Sequence, residues 1–147
     1  MEIVFRSFSQ IPNEELYALL RLRSEVFVVE QYCAYLDLDD CDQRAMHLLG
    51  FLGTELTACS RIFAPGNYFD RYASIGRIVT SPRFRSLGYG KRIVTESLMK
   101  ISELYGSDCP VKIGAQAYLT RFYKSLGFTN TQEEYIEDGI PHVYMIK

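Results

Sequence analysis

The chain has 147 residues, 48% of them hydrophobic, and a formal net charge of -2 at pH 7. This length and composition predict one domain, residues 1–147, with its own core. The near-neutral charge argues against nucleic acid as the main partner, and no apolar run approaches the ~20 residues of a membrane span. Four cysteines without metal-ligand spacing and no signal peptide predict reduced thiols, no metal site and a cytoplasmic location.

A strand and a helix are predicted at the start of the chain. Residues 3–8 alternate apolar and polar positions, as a half-buried strand does. Asn13, which follows a proline, is a good cap for a helix that is expected to end near Glu25. The segment 26–31 begins with four apolar residues and suits a short helix or an extended segment; we favour a second short helix.

Residues 32–42 form an acidic segment with four aspartates and no cation. An EF-hand calcium loop is excluded, because its glycine and closing glutamate positions hold Asp42 and Leu48. Two interpretations stay open. The segment is either a solvated loop or an acidic wall that attracts a cationic acceptor.

The centre of the chain is predicted to form three antiparallel strands. Residues 45–52 and 56–63 are typical of a hairpin, and the β-branched run 75–80 continues the sheet. Pro82 ends this third strand, because a proline donates nothing to a ladder and keeps the residue before it out of the helical region.

An anion site is predicted directly after the third strand. The stretch from Arg71 to Thr95 holds six cations and no acid. Its loop 85–90, Arg-Ser-Leu-Gly-Tyr-Gly, brings glycine amides to the N-terminus of an amphipathic helix that ends at Gly106. This arrangement predicts a phosphate-binding loop.

The C-terminal part is predicted to contain a strand over 110–115, a helix over 119–126 and a further strand that begins at Phe128. A hairpin closes the chain. Asp-Gly at 138–139, between apolar segments, favours a type I′ turn, and Pro141 indicates an edge strand or a bulge.

Two motifs in this order resemble the acetyl-CoA signatures of the GCN5-related N-acetyltransferase (GNAT) superfamily. The first is Arg-x-x-Gly-x-Gly at 85–90, whose amides hold the coenzyme A pyrophosphate in that family. The second is 117–128, which resembles the helix that carries a tyrosine near the acetyl-CoA sulfur and ends in Leu-Gly-Phe. The resemblance covers nearly the whole chain. It implies an α/β (α+β) fold, the GNAT-type acyl-CoA N-acyltransferase fold, with a mixed, mostly antiparallel sheet of about seven strands flanked by helices.

Within the superfamily, residues 25–31, the aspartates up to Asp42, His47 and residues 138–142 look like the ElaA-like branch. The resemblance implies direct transfer of an acetyl group from acetyl-CoA, without a metal, to a primary amine of a small molecule or peptide. A non-catalytic acyl-CoA-binding sensor is the alternative, and the oligomeric state stays open, with a homodimer among the choices. A dinucleotide-binding module does not fit, because Ile93 replaces its third glycine.

The resemblance also suggests roles for single residues. The coenzyme is expected to contact a strand, the glycine loop and one tyrosine: Ile78, Val79, Thr80, Arg83, Arg85, Ser86, Leu87, Gly88, Tyr89, Gly90, Lys91 and Tyr123. Tyr123 fits the catalytic acid, because a phenol of pKa about 10 can protonate a thiolate of pKa about 8.5. The strand before the loop, residues 74–80, contains no Asp or Glu that could act as the general base. The candidates for that role are Glu30, His47, His142 and a water chain.

Overall fold

The structure is a computed structural model that describes residues 1–147. Seven strands form two antiparallel sheets. The first sheet has the order β1 (Glu2–Ser7), β2 (Met46–Leu52), β3 (Glu55–Phe63), β4 (Ser74–Thr80). The second contains β5 (Lys112–Gln116), β6 (Thr129–Glu137) and β7 (Ile140–Ile146) in the order β5-β7-β6. The predicted α+β fold is confirmed.

Three α-helices flank the sheets: α1 (Asn13–Arg23), α2 (Tyr89–Tyr105) and the short α3 (Thr120–Lys124). The segment 26–30 is helical as predicted, but the helical turn begins at Ser24 and is continuous with α1. Ser24 keeps helical dihedral angles, φ -61° and ψ -43°, so α1 runs on into a π-helical turn over Ser24–Glu30. No helix of the chain combines the length and the apolar character that crossing a bilayer requires.

The first sheet is buried on both faces, and its side chains alternate between them. Leu48 and Ala58 belong to the core that packs under α2, whereas their neighbours Leu49 and Cys59 pack under α1. This two-residue period is the one that a strand imposes. The same core under α2 continues into the second sheet, which fixes the relative position of the two sheets.

The two sheets touch at one end and diverge at the other. Ala73, just before β4, forms a parallel bridge with Val111, just before β5. The amide of Ala73 donates to Pro110 O at 2.9 Å, and the amide of Lys112 donates to Ala73 O at 2.9 Å. Beyond this bridge β4 and β5 belong to different sheets, so a crevice opens between them.

A bulge in β4 accompanies this divergence. Cys59 pairs with Val79 and Arg61 pairs with Gly76, so two residues of β4 oppose one residue of β3. The first of the two, Arg77, has a φ of 46°, which is rare for a residue with a side chain. Bulges of this kind bend a strand and re-aim its side chains.

The C-terminal hairpin has the predicted turn. Asp138 and Gly139 both have positive φ, 50° and 79°, as a type I′ turn requires. The interpretation of Pro141 is wrong, since β7 is the central strand of its sheet. Pro141 pairs only with Ile136 of β6, and pairing with β5 begins one residue later at His142. The missing proline N–H therefore interrupts no bond to β5.

Candidate active site

A crevice of about 630 Å³ lies where β4 and β5 diverge. Its walls are β4, the loop before α2, the π-helical turn and the start of α3. All of the predicted coenzyme contacts line it except Arg83 and Leu87. Those two lie elsewhere, because Arg83 forms an exposed ion pair with Glu55 and Leu87 is 59% exposed.

The floor of the crevice is the N-terminus of α2. Gly88, with a φ of 78°, accepts the first hydrogen bond of the helix from the Arg92 amide at 3.0 Å. The amides of residues 89–91 therefore have no partner within the helix, and no side chain caps them. A Cβ on Gly90 would lie 3.2 Å from Thr80 Oγ1, so glycine lets β4 and the helix approach closely. Free amides at a positive helix end favour a phosphate.

Glu30 also lies in this crevice, where it pairs with Arg85. Both oxygens of the carboxylate accept from the guanidinium at 2.7 Å. The hydrogen bond from Arg85 to Glu30 raises the pKa of Arg85. Glu30 does not line the second cavity described below.

A second cavity, of about 200 Å³, adjoins the crevice on the side of β6 and β7. Six residues line both spaces: Phe27, Gln31, Ile78, Gln116, Leu119 and Tyr123. The junction also carries a side-chain network. The amides of Gln31 and Gln116 bond to each other reciprocally at 3.4 and 3.2 Å, and the Tyr118 hydroxyl donates to Gln116 Oε1 at 2.6 Å. This network links the π-helical end of α1 to β5.

Tyr123 lies at this junction, on α3. Its side chain is buried between Phe122 and Phe128, with ring centroids 5.0 and 5.9 Å away. Burial raises the pKa of Tyr123 above the usual value of about 10. The phenol therefore keeps its proton at physiological pH, as a proton donor must.

His142 faces the second cavity. It sits opposite Gln116 on β5, and directly opposite side chains share a face of the sheet. Its Nδ1 lies 2.8 Å from Ile140 O, and a carbonyl can only accept, so Nδ1 carries the proton. In the neutral ring Nε2 then has a free lone pair. Glu137 Oε2 lies 3.9 Å from that Nε2.

His47, the other histidine candidate, lines neither cavity. It is 1% exposed, and its Nε2 is 3.0 Å from the carbonyl oxygen of Asp42. Burial lowers the pKa of His47, because the charged ring would lose its hydration. The structure thus places His47 in the core, away from both cavities.

Both interpretations of the acidic segment are wrong. Three of its four aspartates form an ion-pair network with three arginines: Arg23 with Asp37 and Asp42, Arg61 with Asp39 and Asp42, and Arg77 with Asp37 and Asp39. Asp37 and Asp42 are 4% and 5% exposed, and only Asp40 faces solvent freely. Although burial raises the pKa of Asp42, its bonds to the arginines outweigh burial and lower it. The network is electrically balanced, so it is not an acidic wall.

This network also supports the bulge in β4. Arg77 Nε donates to Asp37 Oδ1 at 2.8 Å, and its Nη2 donates to the Asp37 carbonyl at 3.1 Å. These bonds hold the residue with the unusual backbone and tie the 32–42 segment to the wall of the second cavity. No group of three or more His, Cys, Asp or Glu side chains is arranged to hold a metal ion.

The Gln31–Gln116 pair and the arginine in the bulge were not predicted from the sequence. The eleven tyrosines and nine phenylalanines favour an aromatic pocket lining without showing which of them form it. One signal was available for part of that lining. In the predicted strand 140–146 the two-residue period places His142 and Tyr144 on one face, and both line the cavity.

Known proteins with a similar sequence show the family of this chain. The sequence profile of the family described as acetyltransferase (GNAT) domain matches residues 54–147. Protein ElaA of Escherichia coli is 40% identical over 141 residues, which cover 95% of this chain and 91% of the relative.

Two solved structures share the fold over nearly their whole length. An acyl-CoA N-acyltransferase from Pseudomonas aeruginosa has a TM-score of 0.92 and 36% identity, with coverage of 100% of this chain and 99% of the other. Escherichia coli ElaA has a TM-score of 0.91 and 38% identity, with the same coverage. The fold and the site thus define an acyltransferase. More closely, the chain belongs to the GNAT acetyltransferase family, in the branch that contains ElaA.

Proposed function

We propose that this acyltransferase moves an acetyl group from acetyl-CoA to a primary amine of a small molecule or peptide by direct transfer. The observation that carries the proposal is the junction at Tyr123, where a crevice suited to an anionic coenzyme meets a separate cavity. Two substrates can therefore approach one tyrosine from opposite sides. Acetyl-CoA would supply the activated acyl thioester.

The residues of the crevice fit this coenzyme. The free amides of residues 89–91, together with Lys91 and Arg85, offer donors and positive charge to phosphates. The β4 segment 78–80 runs along the open edge of the first sheet, where its backbone can bond the amides of a pantetheine arm. The same segment leads from the phosphate end towards Tyr123.

The acceptor nitrogen needs a base. An alkylamine of pKa about 10.4 is unprotonated only about once in 2,500 molecules at pH 7, which corresponds to roughly 4.6 kcal/mol. We assign this role to His142, because its Nε2 lone pair is free and it lines the acceptor cavity. The Glu137 carboxylate, 3.9 Å from Nε2, would stabilise the imidazolium that forms. Glu30 and His47 do not line the acceptor cavity.

The leaving sulfur needs an acid, and we assign that role to Tyr123. In the transfer the amine nitrogen bonds to the acyl carbon, the carbon–sulfur bond breaks, and its electron pair goes to sulfur. His142 takes one proton from the ammonium before the attack and releases it to solvent. The Tyr123 hydroxyl then gives a proton to the sulfur, while the second proton of the nitrogen goes to His142 as the amide forms. Burial raises the pKa of Tyr123, but it disfavours a thiolate at the same place as well. At the ordinary pKa values of about 10 and 8.5 the transfer costs roughly 2 kcal/mol, which is small enough for the hydroxyl to donate as negative charge develops on the sulfur.

The test is amine-dependent thiol release. The protein is incubated with acetyl-CoA and a panel of amines, free thiol is followed with a colour reagent, and the acetylated product is identified by mass spectrometry. We expect steady thiol release with at least one amine, and a decrease in kcat of roughly 10²-fold or more for His142→Gln. Thiol release that never depends on an amine would contradict the proposal.

A further inference from the structure

Six aromatic rings line the acceptor cavity in an unbroken chain of contacts, which we name the ring chain. The successive centroid distances are Phe63 to Tyr68 5.0 Å, Tyr68 to Phe69 4.9 Å, Phe69 to Tyr144 5.6 Å, Tyr144 to Tyr135 4.5 Å and Tyr135 to His142 5.3 Å. These residues come from β3, the loop before β4, β6 and β7. The fold therefore gathers them from distant parts of the sequence around one space.

Gly114 shapes the central part of the ring chain. It lies opposite Tyr144 on the neighbouring strand, and a Cβ at this position would overlap the Tyr135 hydroxyl. Because glycine stands there, the Tyr135 ring can lie across β7, stacked on Tyr144 at an interplanar angle of 23°. The result is a flat aromatic wall that reaches from β6 towards β5.

The charges around the cavity favour a cation. Its two arginines, Arg61 and Arg77, are each bonded to two aspartates of the ion-pair network and present little free positive charge. Two acids of the lining, Glu137 and Asp138, have no lysine or arginine partner and lie at the His142 end of the ring chain. An ammonium group would therefore be drawn to the end of the cavity where His142 can take its proton.

We infer that the acceptor is an arylalkylamine, a primary amine joined to an aromatic ring by a short alkyl chain. The inference rests on the proposed function and specifies its substrate. The ammonium group would lie near His142, and the ring would stack against Tyr135, Tyr144 and Phe69. The cavity volume, about 200 Å³, suits one ring rather than a larger group.

A polyamine and a lysine side chain fit this cavity less well. A polyamine carries several charges along its length, whereas the unpaired acids lie together at one end of the ring chain. A lysine side chain would bring four methylenes and no ring to a wall that the six rings of the ring chain form. The ring chain distinguishes these acceptors from an arylalkylamine.

The first test compares kcat/KM for five acceptors: 2-phenylethylamine, 2-cyclohexylethylamine, ethylamine, spermidine and a lysine peptide. We expect 2-phenylethylamine to exceed ethylamine by roughly 10-fold or more, because a ring is buried. It should exceed its saturated analogue by roughly 2- to 12-fold, because only the aromatic ring stacks. Equal values for the two ring amines, or a preference for spermidine or the peptide, would overturn the inference.

The second test uses Tyr68→Ala, which removes one exposed member of the ring chain, 46% exposed, away from His142. The preference for 2-phenylethylamine over ethylamine should fall by roughly 3-fold or more, mainly through KM. Tyr17→Ala is the matched control, because Tyr17 lies on α1, is 72% exposed and lines neither cavity. An unchanged preference in Tyr68→Ala would overturn the inference.

Binding separates this inference from the proposed function. The Kd values of 2-phenylethylamine and 2-cyclohexylethylamine are measured by calorimetry in the presence of coenzyme A, where no acetyl group is available. Tighter binding of the aromatic amine without any turnover would support the inference while the proposed function fails. Turnover of amines with no preference for a ring in Kd or kcat/KM would support the proposed function and overturn the inference.

Discussion

The phosphate-binding role of the loop before α2 predicts a strong effect of Gly88→Asp. Gly88 has a φ of 78° and no heavy atom within 4 Å of an added Cβ, so the new side chain meets no clash. It places a negative charge beside the free amides of α2, where the proposed site holds phosphate. Binding of acetyl-CoA should therefore weaken much more than the fold does.

The two effects have different magnitudes. The left-handed backbone costs a residue with a side chain about 1–2 kcal/mol, which lowers the Tm of a domain of this size by roughly 2–8 °C. A carboxylate about 4 Å from one phosphate charge adds about 1 kcal/mol in water-like surroundings and about 4 kcal/mol at an effective dielectric constant of 20. The Kd for acetyl-CoA should rise by roughly 5- to 900-fold.

Gly53→Asp is the matched control for this experiment. Gly53 has a φ of 61°, also with no heavy atom within 4 Å of an added Cβ, and it lies in the β2–β3 turn outside the crevice. Both variants should lose similar thermal stability, and only Gly88→Asp should lose acetyl-CoA affinity in calorimetry. A folded Gly88→Asp protein with the Kd of Gly53→Asp would refute the phosphate-binding role of the loop.

Three further predictions concern charged groups. Glu30→Gln removes a negative charge from the crevice, so the Kd for acetyl-CoA should fall by roughly two- to fivefold while kcat stays within about twofold. A loss of kcat of about 100-fold, on the order expected for a general base, would instead identify Glu30 as that base. Arg23→Met leaves Asp37 and Asp42 with one arginine partner each and the buried network with one uncompensated negative charge. It should lower the free energy of unfolding in urea by about 3–5 kcal/mol, against about 0.5 kcal/mol or less for the exposed Arg21→Met; similar midpoints for both would contradict the network. Folding lowers the pKa of His47 and of Asp42, so each contributes stability that is present above its unfolded pKa and is lost as pH falls. The free energy of unfolding should therefore decline below about pH 6.5, where His47 titrates in the unfolded chain, and again below about pH 4, where Asp42 does. A free energy of unfolding that stays constant from about pH 7 to 5 would contradict a buried, neutral His47.

The parts of the molecule that the sequence predicted correctly depend on local chemistry. The glycine loop, the type I′ turn at Asp138 and the strand order follow from residues that are close in the chain and have strong conformational preferences. Most of the residues predicted to contact the coenzyme line one crevice. Arg83 and Leu87 do not, because sequence proximity to the loop does not fix the direction of a side chain.

The features that were not predicted depend on contacts between distant residues. Asp37 meets Arg23 across 14 positions and Arg77 across 40, so a sequence pattern of clustered aspartates could not reveal its partners. The bulge in β4 has an arginine where a glycine would have signalled positive φ. The ring chain is assembled from separate strands and a loop, and only tertiary packing brings its rings together.

The most direct test of the account is the kinetics of Tyr123→Phe, because acyl transfer is assigned to the junction at this residue. The variant keeps the buried ring, so the Kd for acetyl-CoA and the Tm should change little. The hydroxyl acts only as the thiolate forms, hence kcat should fall by roughly 10²-fold or more, whereas the control Tyr105→Phe, on α2, keeps normal kcat. A lower Tm with near-normal kcat in the folded Tyr123→Phe protein would contradict the account and leave Tyr123 as a core residue.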